Sequence, residues 1–290
     1  MNGILLIDKP SGWTSSDVVA KLRGILRERR IGHSGTLDPM ATGLLVVFVG
    51  RATRAVEFAE GHDKRYLAGL RLGLDTDTQD TTGRPVGGEA RAVSEEELER
   101  TLAAFRGDIL QVPPMYSAIK VKGQKLYEIA RRGGEVERKP RPVHIYVLNL
   151  LGRQEGDYLL DVCCSKGTYV RTLCHDIGIS LGCGGCMSSL RRLSAGAFSV
   201  ENAYTLEQVQ RAADEGQAEK LLLPIDQLFV EADVLRASFG QEKRIRAGGV
   251  FSVPDLPDGE YRVYSEDGAF LAFSRAQNGE LKTIKSFFEV

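Results

Sequence analysis

Gly32-His33-Ser34-Gly35-Thr36-Leu37-Asp38-Pro39-Met40-Ala41-Thr42-Gly43 runs directly into Leu44-Leu45-Val46-Val47-Phe48-Val49. The second part is continuous and apolar, as expected of a strand buried on both faces. The first part, from Ile31 to Thr42, has neither helical nor strand periodicity and is rich in Gly, Ser, Thr, Asp and Pro, which reads as a loop with unusual backbone demands. A chemically dense loop is thus pinned by a buried strand. His33, Ser34 and Asp38 stand in it beside glycines. A serine-hydrolase elbow would read Gly-x-Ser-x-Gly, but Thr36 occupies the fifth position. A phosphate-binding P-loop would end in Gly-Lys-Ser/Thr, and the stretch holds no lysine. A tight turn capped by Asp38 is the plain structural alternative.

Outward from this stretch, the apolar run Gly3 to Ile7 closes on Lys9-Pro10-Ser11-Gly12, a strand followed by a turn. Thr14 and Asp17 then form a capping-box pattern, and Val18, Val19, Leu22, Ile25 and Leu26 repeat at helical spacing. Arg65 to Leu72 alternates as a strand. Ser94 with Glu97 opens a second helix ending near Phe105, and a short helix from Leu126 to Arg132 stops at Gly133-Gly134. Val143 to Leu151 and Tyr158 to Cys164 read as a hairpin, and Thr168 to Leu181 as a helix. From about residue 233, turn signals recur at Gly248-Gly249, Pro254, Pro257-Asp258-Gly259, Asp267-Gly268 and Asn278-Gly279 with no helical pattern. That spacing suggests a small separate β-barrel.

With 290 residues, 42% of them apolar and 27% charged, the composition is that of an ordinary globular chain and excludes disordered or collagen-like classes. The longest apolar run, Leu44 to Val49, is far short of the roughly 20 residues a membrane helix needs. The start, Met1 to Asp8, lacks a basic lead and does not read as a secretory signal, so a cytoplasmic protein is expected. Cys163, Cys164, Cys174, Cys183 and Cys186 are too few for a disulfide scaffold and read as reduced thiols. Asp75-Thr76-Asp77-Thr78-Gln79-Asp80 hints at a calcium loop, but Asp80 and Val86 stand where glycine and glutamate are required, leaving a solvated loop as the reading. Cys183-Gly184-Gly185-Cys186 has zinc-pair spacing without a second pair, so no metal is expected.

The formal net charge is -1, yet the charge is segregated. Residues 21 to 30 carry Lys21, Arg23, Arg27, Arg29 and Arg30 against Glu28. Residues 119 to 142 carry Lys120, Lys122, Lys125, Arg131, Arg132, Arg138, Lys139 and Arg141 against Glu128, Glu135 and Glu137, while residues 201 to 235 are acidic. Such a chain can meet phosphates on one face, because contact electrostatics follow local charge rather than the total. Solvated helix faces would look the same.

The segment Gly32 to Leu45 resembles the catalytic motif of the TruB family of tRNA pseudouridine synthases. Other blocks agree in the family's order: Gly3 to Trp13 with its Asp-Lys-Pro-x-Gly-Trp, Asp63-Lys64-Arg65-Tyr66, Pro113 to Lys120, Cys164 to Leu173, and Leu190-Arg191-Arg192-Leu193. The tail resembles the small RNA-binding barrel called PUA. This resemblance implies an α+β (mixed α/β) fold: a catalytic domain over residues 1–232 with a central, mostly antiparallel sheet, then a PUA-like β-barrel over residues 233–290. It implies an isomerase that converts uridine 55 in the T loop of tRNA to pseudouridine, by breaking the bond from C1′ to N1, turning the base and joining C1′ to C5. Neither metal nor cofactor is demanded by that chemistry. The resemblance places the reacting carboxylate on Asp38 and its arginine partner on Arg171, whose guanidinium would keep the carboxylate charged and fix its direction. Tyr66 would be catalytic with Asp38 and Arg171, stacking on the target base and helping to remove the C5 proton, with Tyr169 and Leu190 lining the uracil pocket and His33 aiding extrusion of the nucleotide. Lys120, Lys122, Lys125, Arg131 and Arg132 would meet the backbone of the T arm, with the protein acting as a monomer. A non-catalytic tRNA-binding or folding chaperone would keep the grooves without the chemistry, but has no use for a carboxylate beside phosphates, where it only repels.

Overall fold

The computed structural model describes residues 1–121 and 123–288, so Lys122 lies outside the described residues. A nine-stranded sheet organises most of the chain. Its strands are β1 (Gly3–Lys9), β2 (Ile31–Ser34), β3 (Thr42–Val49), β4 (Lys64–Leu72), β5 (Gly107–Gln111), β6 (Arg141–Gln154), β7 (Asp157–Cys164), β8 (Gly185–Ala195) and β9 (Phe198–Ser199). The spatial order is β1-β3-β8-β4-β7-β6-β5, with β2 on β3 and β9 on β8. Every pairing is antiparallel except the short parallel junction of β3 with β8. The expectation of a mixed α/β fold with a mostly antiparallel sheet therefore holds.

Helix α1 (Ser15–Leu26) starts at the expected capping box, with Asp17 N–H donating to Thr14 Oγ1 at 3.0 Å and Thr14 N–H to Asp17 Oδ2 at 2.9 Å. Its apolar stripe, Val18, Val19, Leu22, Ile25 and Leu26, packs on Leu5, Ile7, Leu45, Val47 and Val49. Each such side chain, fully buried, contributes about 1.5–3 kcal/mol of transfer free energy. Leu44, Val46 and Phe48 face the opposite side of β3 into a second cluster. That two-sided burial is why β3 reads as an unbroken apolar run rather than an alternating one. A third cluster lies under β4, β6 and β7. There Ala68, Leu70, Ile145, Leu160 and Val162 meet Leu98 and Leu102 of α3 (Glu95–Ala103) and Leu173, Cys174 and Ile177 of α5 (Val170–Ser180).

Three local expectations change. Ile31 to Ser34 is a strand paired with β3, not loop; its four residues include Gly32 and His33, too short and polar a run to show a period. The central strand β8 carries bulges after Met187 and Arg192 that break its alternation, which hides it from the pattern. The loop Asp75 to Asp80 is not solvated: Thr76 and Asp80 are buried, and Asp80 accepts from Thr78 Oγ1 at 2.8 Å and Thr82 N–H at 2.9 Å.

After residue 232 the chain forms a five-stranded open sheet, β10 (Asp233–Arg236), β11 (Phe251–Ser252), β12 (Gly259–Tyr264), β13 (Phe270–Gln277) and β14 (Glu280–Ser286), in the order β10-β12-β13-β14-β11. Contrary to the helix-free expectation, it carries a helix at Phe239–Arg246, started by a Ser238/Gln241 capping box. Few apolar residues mark that helix, since only Ile245 of it is buried. This sheet has a core of its own, including Phe251, Tyr261, Val263, Leu271 and Leu281. It also shares an aromatic cluster with the larger sheet. Phe229 stacks on Phe273 with centroids 4.3 Å apart, and Phe58 meets both rings edge-on at 5.3 and 5.5 Å. Among the described residues no helix is long and apolar enough to cross a membrane.

Candidate active site

The loop between β2 and β3 is held from below by the β1–α1 connection. Leu37 N–H donates to the buried Ser15 hydroxyl at 2.9 Å, Gly12 N–H to Pro39 O at 2.8 Å, and Ala41 N–H to Asp38 O at 3.1 Å. Lys9, 0% exposed, directs its ammonium to the carbonyls of Trp13, Pro10 and Pro39 at 2.7, 2.8 and 3.3 Å. Burial pushes its pKa down to about 8, against the pull of the Asp38 carboxylate. Gly43 ends the loop at φ +93°, and a Cβ there would lie 2.3 Å from Arg192 O, so only glycine permits the close parallel junction with β8. These contacts leave Asp38 at the tip of a constrained turn, its side chain 36% exposed.

Arg171, in the first turn of α5 with its side chain 6% exposed, meets that carboxylate. Its Nε lies 2.9 Å from Asp38 Oδ2 and an Nη 3.4 Å from Oδ1. The same guanidinium donates to Thr78 O at 2.9 Å and Tyr116 O at 2.8 Å, and stands 3.9 Å from Asp80 Oδ2. One planar fork thus joins the Asp38 loop, the loop after β4 and the Tyr116 segment, a geometry lysine could not reproduce. Asp80 escapes sequence reasoning because its neighbours imitate a failed calcium loop. Its burial beside Arg171 is what marks it as part of the site.

Asp38 and Arg171 line a cleft of about 980 Å³ together with His33, Tyr66, Tyr169 and Leu190. Every residue assigned from the resemblance to the reacting group or the base pocket therefore reaches one cavity. Tyr66 is buried on β4, and burial raises its phenol pKa. Tyr169 caps α5 and is tied to the edge strand, its N–H donating to Gln111 Oε1 at 3.0 Å while Gln111 Nε2 donates to Tyr169 O at 3.1 Å. Leu190 is buried on β8 against the core under α5. His33 Nδ1 is buried without a hydrogen-bond partner, and burial lowers the ring's pKa, so the imidazole is neutral near pH 7. A carboxylate held by a guanidinium, facing an aromatic and an aliphatic wall, can bind a planar base and attack or deprotonate the sugar attached to it.

The basic segment is only partly at the cleft. Arg131, ending α4 (Leu126–Arg131), reaches its rim together with Tyr127. Lys125 and Arg131 both lie 5.4 Å from the Tyr127 ring centroid. Lys120 and Lys125 pair in a two-stranded ribbon, and Lys120 and Arg132 are exposed away from the cleft lining. Tyr127 also escapes sequence reasoning, since a lone tyrosine carries no signal of its own, while Tyr116 lies in the Pro113 to Lys120 block without a role assigned to it.

Residues 23–170 match the TruB family pseudouridylate synthase N-terminal domain, and residues 171–230 match the tRNA pseudouridylate synthase B C-terminal domain. The chain is 40% identical to the tRNA pseudouridine synthase B of Clostridium kluyveri, over 99% of this chain and 100% of that one. It is 49% identical to the tRNA pseudouridine synthase B of Heliobacterium modesticaldum, over 79% of this chain and 75% of that one. The fold is similar to a chain in the solved structure of an H/ACA RNP bound to a substrate RNA containing 2′-deoxyuridine, with a TM-score of 0.74, 24% identity, and coverage of 99% of this chain and 85% of that chain. The chain belongs to the TruB family of pseudouridylate synthases.

Proposed function

We propose that this protein converts uridine 55 in the T loop of tRNA to pseudouridine, with Asp38 as the reacting carboxylate. The supporting observation is the 2.9 Å contact of Asp38 with the buried Arg171 inside the cleft lined by Tyr66 and Leu190. The extruded uracil stacks on Tyr66, an interaction worth about 1–3 kcal/mol per base, which offsets much of the unstacking. The bond from C1′ to N1 breaks, the base turns, C1′ bonds to C5, and the C5 hydrogen leaves as a proton while N1 gains one. Arg171 keeps the Asp38 carboxylate aimed throughout. Tyr169 and Leu190 close the pocket, and His33 lines the space next to the extruded nucleotide. Lys120, Lys125, Arg131 and Arg132 supply sequence-tolerant attraction for the T-arm phosphates.

The chain divides into a catalytic domain over residues 1–232 and an RNA-binding domain of PUA type over residues 233–290, a division supported by the separate core of the C-terminal sheet. It works as a monomer in the cytoplasm, where its substrate is. Incubation with an unmodified tRNA transcript, followed by mapping of carbodiimide-dependent reverse-transcription stops, tests the reading. One new stop is expected, at position 55. Stops elsewhere, or none, would reject it.

A further inference from the structure

The block Leu190-Arg191-Arg192-Leu193 contributes more than a pocket wall. Leu190 and Arg192 are two residues apart on β8, so both side chains leave the same face of the strand. Arg192 pairs across the ladder with Tyr66 on β4, where facing Cβ atoms are about 4.5–5.5 Å apart, and both residues line the cleft. Its Nε donates to Leu44 O at 2.6 Å and an Nη to Gly35 O at 2.9 Å. Gly35 and Leu44 bracket the loop that carries Asp38. One side chain therefore holds both shoulders of that loop beside the tyrosine that faces the base.

Arg192 is 1% exposed, and among the described residues no carboxylate forms an ion pair with it. Its charged neighbourhood is cationic instead. Burial is the largest cause lowering the pKa values of Lys9, His33 and Lys64, and the Arg192 charge lowers all three further. A buried cation without a counter-ion is an expensive way to stabilise a fold. The geometry is better explained by reactivity than by stability. We propose that Arg192 is a positioning residue of the reaction, fixing both shoulders of the Asp38 loop relative to the strand that bears Leu190 and faces Tyr66. This rests on the roles of Asp38 and Tyr66 given above.

The test uses the full chain with Arg192→Met and Arg192→Lys, measuring single-turnover tritium release from a tRNA transcript labelled at uridine C5, tRNA Kd, and thermal melting. Arg192→Met, which leaves Leu44 O and Gly35 O without a donor, should melt below wild type yet stay folded at the assay temperature and bind tRNA with a Kd within about threefold of wild type, while its rate falls about 100-fold. Arg192→Lys, able to reach one of the two carbonyls, should recover part of that rate. A rate within about threefold of wild type for Arg192→Met overturns the proposal. So does a loss matched by weaker binding. Should Arg192→Met not fold, Arg192→Lys decides by the same readings. Asp38→Asn in the same assay separates the two levels. If it is active, the parent reading fails; if it is inactive beside a fast Arg192→Met, only the positioning role fails.

Discussion

Replacing Arg171 by lysine probes the centre of the site. The guanidinium serves Asp38, Thr78 O and Tyr116 O at 2.9, 2.9 and 2.8 Å from three separate segments. An ammonium is a point donor without the planar fork, so it can serve the carboxylate or the carbonyls but not all three in place. Two buried acceptors then go without partners. At about 1–3 kcal/mol each, the loss of stability should be about 2–6 kcal/mol, a large part of the 5–15 kcal/mol typical of a folded domain. The carboxylate also loses its fixed direction, and a displacement of about 1 Å at a reacting group costs about 100-fold in rate. Asp38→Asn makes the contrasting case. Its side chain opens into the cleft, so about 1 kcal/mol or less of stability should be lost, while the chemistry stops. Urea unfolding followed by circular dichroism, with single-turnover rates on the same preparations, separates the two patterns. An Arg171→Lys protein that unfolds within about 0.5 kcal/mol of wild type and reacts at the wild-type rate would refute the bridging role.

Three further outcomes are expected. Lys9 has a folded pKa of about 8 against an ordinary value of 10.5, so between these values the unfolded chain binds more protons and this group's contribution to stability rises with pH. Unfolding free energies at pH 7.5, 9 and 10.5 should show a steeper upward trend for wild type than for Lys9→Met, and equal slopes would contradict the buried ammonium. Lys120→Glu combined with Lys125→Glu should weaken tRNA binding and flatten the dependence of log Kd on log salt by about 0.9 for each phosphate no longer neutralised; an unchanged slope in filter binding would remove the ribbon from the interface. Phe273→Ala opens the stack on Phe229 and should cost about 3–5 kcal/mol, read by calorimetry. No loss would mean the C-terminal sheet is not coupled to the larger one through these rings.

Much of the fold is legible in the sequence because local signals and tertiary demands agree. The capping box at Thr14, the N-cap at Ser94, the apolar run of β3 and the hairpin of β6 and β7 each satisfy their own backbone and bury a face in the observed register. The signals fail where tertiary structure overrides pattern. Strand β8 is central yet bulged and studded with serine and arginine, because one side faces the cleft and the loop it supports. Asp80 looks solvated in sequence because its partner Arg171 is 91 residues away, and no spacing rule reaches that far. Arg192 is visible only as one basic residue in a pair, although Arg191 is the one that forms a conventional ion pair, with Asp8 at 2.8 Å. The Asp38 loop is readable as chemistry, but its rigidity comes from Lys9, Ser15 and Arg192, which converge on it from other segments.

The central claim is that the Asp38 carboxylate carries out the isomerisation. Its most direct test is single-turnover release of tritium from a tRNA transcript labelled at uridine C5, by wild-type protein and by Asp38→Asn, with tRNA Kd measured for both. Wild type should release the label stoichiometrically, and Asp38→Asn should bind with the same Kd and release none. Release by Asp38→Asn at a rate near that of wild type would contradict the claim.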